Sequence, residues 1–123
     1  MAKKILVIDD EGDILKLVQA RLEAAGYEVA ALESGERALK AALSEKPDLI
    51  LLDVVMPGKN GCEVCRELKA DEATRKIPVI LFTAHYPEEE YVKIGSGEVG
   101  ADGYIVKPFD AQALLDKIKA LVK

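Results

Sequence analysis

The chain has 123 residues, 50% of them hydrophobic and 32% charged, the mixture of one globular domain that buries about two-thirds of its unfolded surface. This excludes a disordered chain, a collagen-like repeat and a disulfide scaffold. With 22 acids against 17 Lys and Arg the net charge is −5, so no broad positive field attracts nucleic acid or an anionic membrane.

The first apolar run, Ile5-Leu6-Val7-Ile8, is too short for the apolar part of a signal peptide or for a membrane span. It points to a cytoplasmic protein, and Cys62 and Cys65 as the only cysteines agree with a reducing compartment. The run reads as a strand over Lys4–Ile8. Ile14, Leu15, Val18 and Leu22 then recur at helical spacing, and Gly26 stands where a helix end wants a left-handed residue. A second strand is expected at Glu28–Leu32, followed by a helix over Gly35–Glu45 with Ser34 as its cap and Pro47 beyond its end. Leu49–Leu52 reads as the third strand and Gly61–Ala70 as the third helix. Val79–Phe82 reads as the fourth strand. Pro87–Val99 is a weak fourth helix, because it carries Gly95 and Gly97, each costing about 1 kcal/mol relative to Ala in a helix. The fifth strand is Tyr104–Val106. The last helix carries the stripe Leu114, Leu115, Ile118, Leu121 and Val122, with Asp110 as its cap.

ILVI, LILL and VILF are apolar throughout rather than alternating, the pattern of strands covered on both faces. Strand and helix alternate, which predicts an α/β domain with a parallel sheet, right-handed crossovers and helices on both faces. In such a sheet every strand's carboxyl end lies on one edge, where ligands bind. Asp9 and Asp10 follow the first strand, Asp53 the third, Thr83 the fourth and Lys107 the fifth. If the acids meet there, their repulsion calls for a cation or a shared proton. Oxygen ligands of this kind suit Mg²⁺.

ILVIDDE at 5–11, LILLDVVMPGKNG at 49–61, VILFTA at 79–84 and GADGYIVKPF at 100–109 follow one another in an order and spacing that resembles the receiver domain of two-component response regulators. The resemblance covers essentially all of residues 1–123. It implies a flavodoxin-like (βα)5 fold with strand order 2-1-3-4-5, whose switch point between strands one and three would bring Asp9, Asp10 and Asp53 together. By resemblance Asp53 is the phosphoacceptor, and Asp10, Asp53 and the Val55 carbonyl bind Mg²⁺, with Asp9 orienting bound water. Lys107 would pair with the acceptor and then with a phosphoryl oxygen. Thr83 would turn inward on phosphorylation, with Tyr104 as the aromatic that follows it. Val55 and His85 occupy positions that in this family flank the path of the hydrolytic water. The apolar Val55 argues for slow hydrolysis, while a neutral His85 imidazole could accept a proton from that water. The implied partners are a histidine kinase or phosphotransfer protein and a downstream protein target, with no nucleic acid bound by this domain and no membrane insertion. The implied output surface is the fourth helix, fifth strand and last helix. Because of its glycines, and a Thr83-to-Lys107 interval about two residues longer than the family's, the fourth helix is expected either to be short or displaced and mobile before phosphorylation, or to be ended early by the glycines with a rigid loop after it.

Plainer roles compete. Asp9 and Asp10 could be acids at a helix start, Thr83 an ordinary strand-end residue, and Tyr104 core. Gly95–Gly100 reads G-x-G-x-x-G but follows a helical stretch rather than a strand, so it is no dinucleotide site. Cys62 and Cys65 read C-x-x-C without a second pair for zinc or a thioredoxin-like setting. His85 is the only histidine, so a His-based triad cannot form within the chain. Two alternative functions stand beside the receiver. One is a haloacid-dehalogenase-like Mg²⁺ phosphatase, which would need D-x-D where this chain has Asp9-Asp10-Glu11. The other is a pseudo-receiver that never takes phosphate, whose usual sign is a missing acceptor or lysine. No DNA-binding or enzymatic output segment is expected within these residues.

Overall fold

The computed structural model describes residues 2–54, 61–83, 101–106 and 110–122. Five parallel strands, β1 (Lys4–Ile8), β2 (Glu28–Leu32), β3 (Leu49–Asp53), β4 (Val79–Thr83) and β5 (Gly103–Val106), lie in the order β2-β1-β3-β4-β5. The helices among the described residues are α1 (Gly12–Ala24), α2 (Ala38–Glu45), α3 (Gly61–Ala70) and α4 (Ala111–Leu121). The weak helical stretch Pro87–Val99, with its G-x-G-x-x-G run, lies outside the described residues.

The all-apolar runs work as expected. Alternate residues of one strand serve opposite cores. Leu6, Ile8, Ile50, Leu52, Val79 and Leu81 pack with Ala38, Ala42, Val64 and Leu68 of α2 and α3. Ile5, Val7, Leu49, Leu51, Ile80 and Phe82 pack with Leu15, Val18 and Leu22 of α1 and Leu114 and Ile118 of α4. A strand covered on both sides has no position to spare for a polar residue until its end, and there Asp9 and Asp53 begin.

The caps set helix lengths. Gly26 takes φ +96° after α1; its N–H reaches the Glu23 carbonyl and the Tyr27 N–H the Leu22 carbonyl, the double closure of a Schellman end. Asp110 Oδ1 accepts the Gln112 N–H at 3.1 Å, capping α4. The helix expected from Gly35 starts differently. Ser34 Oγ accepts the Glu36 N–H, and Gly35–Arg37 form a 3₁₀ turn before α2 begins at Ala38. A cap reaching only two residues ahead suits that tighter opening. At the other end Lys46, not a glycine, takes the left-handed conformation (φ 49°) and donates its N–H to the Ala42 carbonyl before Pro47.

Lys69 ties the amino edge of the sheet together. Its Nζ donates to the carbonyls of Arg75 and Ile77 and to Asp102 Oδ2 at 2.9 Å, and the same carboxylate oxygen accepts the Val79 N–H. This joins the end of α3 to the starts of β4 and β5 and leaves the opposite edge to carry chemistry. Among the described residues no helix is long and apolar enough to cross a membrane.

Candidate functional site

β3 and β4 each run one residue further than expected, so Asp53 and Thr83 are the last residues of their strands. The ladder continues through Asp53 opposite Phe82 and Thr83 opposite Val106. Asp53 is therefore held by sheet pairing on a buried strand, and its side chain is 2% exposed. The Val54 N–H donates to the Phe82 carbonyl, and the Gly61 N–H donates to the Val54 carbonyl at 2.8 Å, so α3 starts directly behind the acid. There is no room for a side chain at Gly61: a Cβ would collide with the backbone carbonyl of Asp53 and the Cα of Val54.

The other wall is the turn from β1 to α1. Asp9 is fully buried; its N–H donates to the Leu32 carbonyl, and its Oδ1 accepts the Glu11 N–H at 2.9 Å. That bond turns the chain, leaving Asp10 and Glu11 exposed and Glu11 as the residue before α1. One carboxylate oxygen each from Asp9, Asp10, Glu11 and Asp53 lies within 4.8 Å of the others. The sheet order makes this possible, since β1 and β3 are neighbours. The expected meeting of Asp9, Asp10 and Asp53 is present. Glu11 is the addition, and the acidic run Asp9-Asp10-Glu11 was its signal. An all-oxygen set with no His or Cys fits a hard divalent cation rather than zinc or copper. Four like charges this close repel one another, and the positive end of the α1 dipole beside them offsets only part of that repulsion.

Tyr104 lies on edge strand β5 opposite Leu81 and is 39% exposed, so the core role does not hold. Val55, His85 and Lys107 lie outside the described residues.

Cys62 and Cys65 form no disulfide and are both buried on the core side of α3. Burial pushes the Cys65 thiol up to about 12, away from the reactive thiolate. Dithionitrobenzoate at pH 8 should therefore leave both thiols unmodified in the folded chain and react with both in urea. Fast labelling without denaturant would revive a redox role for the pair.

The response regulator receiver domain profile matches residues 5–119. The chain belongs to this family. The receiver is 44% identical over 123 residues to the alkaline phosphatase synthesis transcriptional regulatory protein PhoP of Bacillus subtilis, covering 100% of this chain and 50% of PhoP. It is also 44% identical to the phosphate regulon transcriptional regulatory protein PhoB of Pseudomonas aeruginosa, covering 100% of this chain and 53% of PhoB. The receiver thus spans about half the length of the curated relatives it matches. Among solved structures, the chemotaxis protein CheY4 of Vibrio cholerae superposes with a TM-score of 0.89 at 30% identity, covering 98% of this chain and 99% of CheY4. The receiver shares that fold and is a two-component signalling module.

Proposed function

We propose that residues 1–123 form one receiver domain that accepts a phosphoryl group on Asp53 from a histidine kinase or phosphotransfer protein. The observation that carries this reading is the buried Asp53 at the end of β3 within a cluster of four carboxylates. In the transfer, an Asp53 carboxylate oxygen forms a P–O bond as the donor's P–N bond breaks, and the departing imidazole keeps the electron pair. Asp10, Asp53 and the Val55 carbonyl would hold Mg²⁺, with Asp9 orienting bound water, and the ion would supply charge neutralisation for the phosphoryl oxygens. Lys107 pairs with one phosphoryl oxygen and Thr83 with another. The domain catalyses only its own phosphorylation and dephosphorylation, with the apolar Val55 slowing hydrolysis and the His85 imidazole able to accept a proton from the hydrolytic water. Tyr104 follows Thr83 and alters the surface of β5 and α4 for a downstream protein in the cytoplasm.

Acetyl phosphate with Mg²⁺ tests this. Intact mass should rise by one phosphoryl group per chain, and Asp53→Asn should abolish the gain. Repeated turnover on unrelated phosphoesters would instead make the chain a phosphatase, and no gain at all would make it a pseudo-receiver.

A further inference from the structure

β2 is an edge strand whose outer side nothing among the described residues covers. Its backbone directions follow from two hydrogen bonds. The Glu28 N–H donates to the Lys3 carbonyl, and the Leu32 carbonyl accepts the Asp9 N–H. Glu28, Ala30 and Leu32 therefore aim their backbone groups at β1, and Val29 and Ala31 aim theirs outward. Edge strands are usually blunted by Lys, Pro or a bulge. Glu28-Val29-Ala30-Ala31-Leu32 has no Lys and no Pro, and its centre is two alanines.

Beside this edge runs a groove of about 590 Å³ lined by Ala30, Leu32, Arg37, Lys40, Ala41 and Glu45, among others. The groove is polarised. Arg37 and Lys40 belong to the end that follows Leu32, and neither has an acid within ion-pair distance among the described residues. At the other end Glu45 holds Lys4 at 3.0 Å, with the Glu28 carboxylate also acting on that lysine. Lys40 also lines the neighbouring groove, which holds Glu36, Leu39, Glu67 and Asp71, so Arg37 is the cation confined to the groove beside β2, and Glu33 lines neither.

We propose that the β2 edge is a self-association surface on which a second copy of this chain pairs antiparallel, joining two five-stranded sheets into one. With the two-fold axis at Ala30, Val29 of one copy meets Ala31 of the other. Each such pair exchanges two N–H···O bonds, and all the outward backbone groups of β2 are used. Ala30 faces its own counterpart at the narrow non-hydrogen-bonded pair, where small side chains allow close approach. The axis stands perpendicular to the sheet, so both α2 helices stay on one face, with Arg37 and Lys40 of each copy beside Glu28 and Glu45 of the other. That charge pattern selects an antiparallel second copy over a parallel one, which would set like ends together.

Sedimentation velocity of the whole chain, from micromolar to near-millimolar, tests this. The wild type should shift reversibly from monomer to dimer. Ala31→Pro removes the outward N–H while leaving the bonds to β1 intact, and should weaken dimerisation about tenfold or more. Arg37→Glu with Lys40→Glu should weaken it as well, and adding Glu28→Lys to that pair should restore it. Folding of each variant is checked by circular dichroism, and if Ala31→Pro does not fold the charge exchange decides. Phosphorylation by acetyl phosphate should be unaffected, which separates this surface from the acid cluster. A wild type monomeric at every concentration, including one whose edge pairs only with added extended peptides, overturns the proposal. So does a dimer indifferent to the charge exchange.

Discussion

Gly61→Ala should destabilise the domain by about 3 kcal/mol in urea unfolding and sharply slow phosphorylation by acetyl phosphate, and Gly61→Val should do worse. A Cβ there meets the Asp53 carbonyl and the Val54 Cα, which are backbone atoms of a fully buried segment and not the ends of flexible side chains. Overpacking a core commonly costs about 1–3 kcal/mol, and the upper end applies because β3 is fixed by β1 on one side and β4 on the other. Relief must come from moving the start of α3 or the end of β3. Either breaks the Gly61-to-Val54 hydrogen bond and displaces the acid. Gly12→Ala is the control: its Cβ meets open space at the start of α1, so stability should hold or rise by up to about 1 kcal/mol. Gly61→Ala within about 0.5 kcal/mol of wild type would show that the backbone yields and that the close approach does not hold Asp53.

Mg²⁺ should raise the melting temperature at neutral pH. A ligand that binds only the folded chain, at a hundredfold excess over its dissociation constant, adds about 2.7 kcal/mol. For a domain of this size that corresponds to roughly 5–15 °C. The acids fit this because their oxygens converge within 4.8 Å only when β1 and β3 are paired, so the unfolded chain offers no comparable site. Asp10→Asn should remove most of the Mg²⁺ effect. It should also raise the metal-free melting temperature, because one repelling charge is gone. Glu11→Gln separates a fourth ligand from a bystander: a reduced Mg²⁺ shift places Glu11 in the metal's surroundings, and an unchanged one leaves only its backbone N–H with a role, in the turn closed by Asp9. A melting temperature indifferent to millimolar Mg²⁺ would refute the cation site.

The apolar runs were legible as strands because a segment covered on both faces has no polar position to alternate with. ILVI, LILL and VILF each sit in the sheet with their residues divided between two cores. Helix ends were legible where one residue decides them, as at Gly26 and Asp110. Strand order was not written in any one segment. It depends on which strands pair across the chain, and the family resemblance supplied it. The 3₁₀ opening at Gly35 was missed because Ser34 can cap either an α or a 3₁₀ turn, and only its reach to Glu36 distinguishes them. Asp53 was placed just beyond its strand because a carboxylate reads as a break in an apolar run, yet the ladder carries one residue further. Glu11 was overlooked as a cluster member for a related reason. The acidic run Asp9-Asp10-Glu11 signals it, but its place in the cluster depends on the turn that the Asp9 carboxylate makes with its N–H. The demand for glycine at 61 was likewise invisible, since it arises from backbone eight residues earlier.

Reductive trapping measures the central claim most directly. After reaction with acetyl phosphate and Mg²⁺, borohydride reduces an aspartyl phosphate at the acid that carried it and leaves free carboxylates unchanged. Peptide mapping then identifies that acid among the four in the cluster. The account predicts reduction at Asp53 alone, with Asp9, Asp10 and Glu11 intact, and no reduction when Mg²⁺ is withheld. Reduction at Asp9 or Asp10, or equal reduction with and without Mg²⁺, would contradict it.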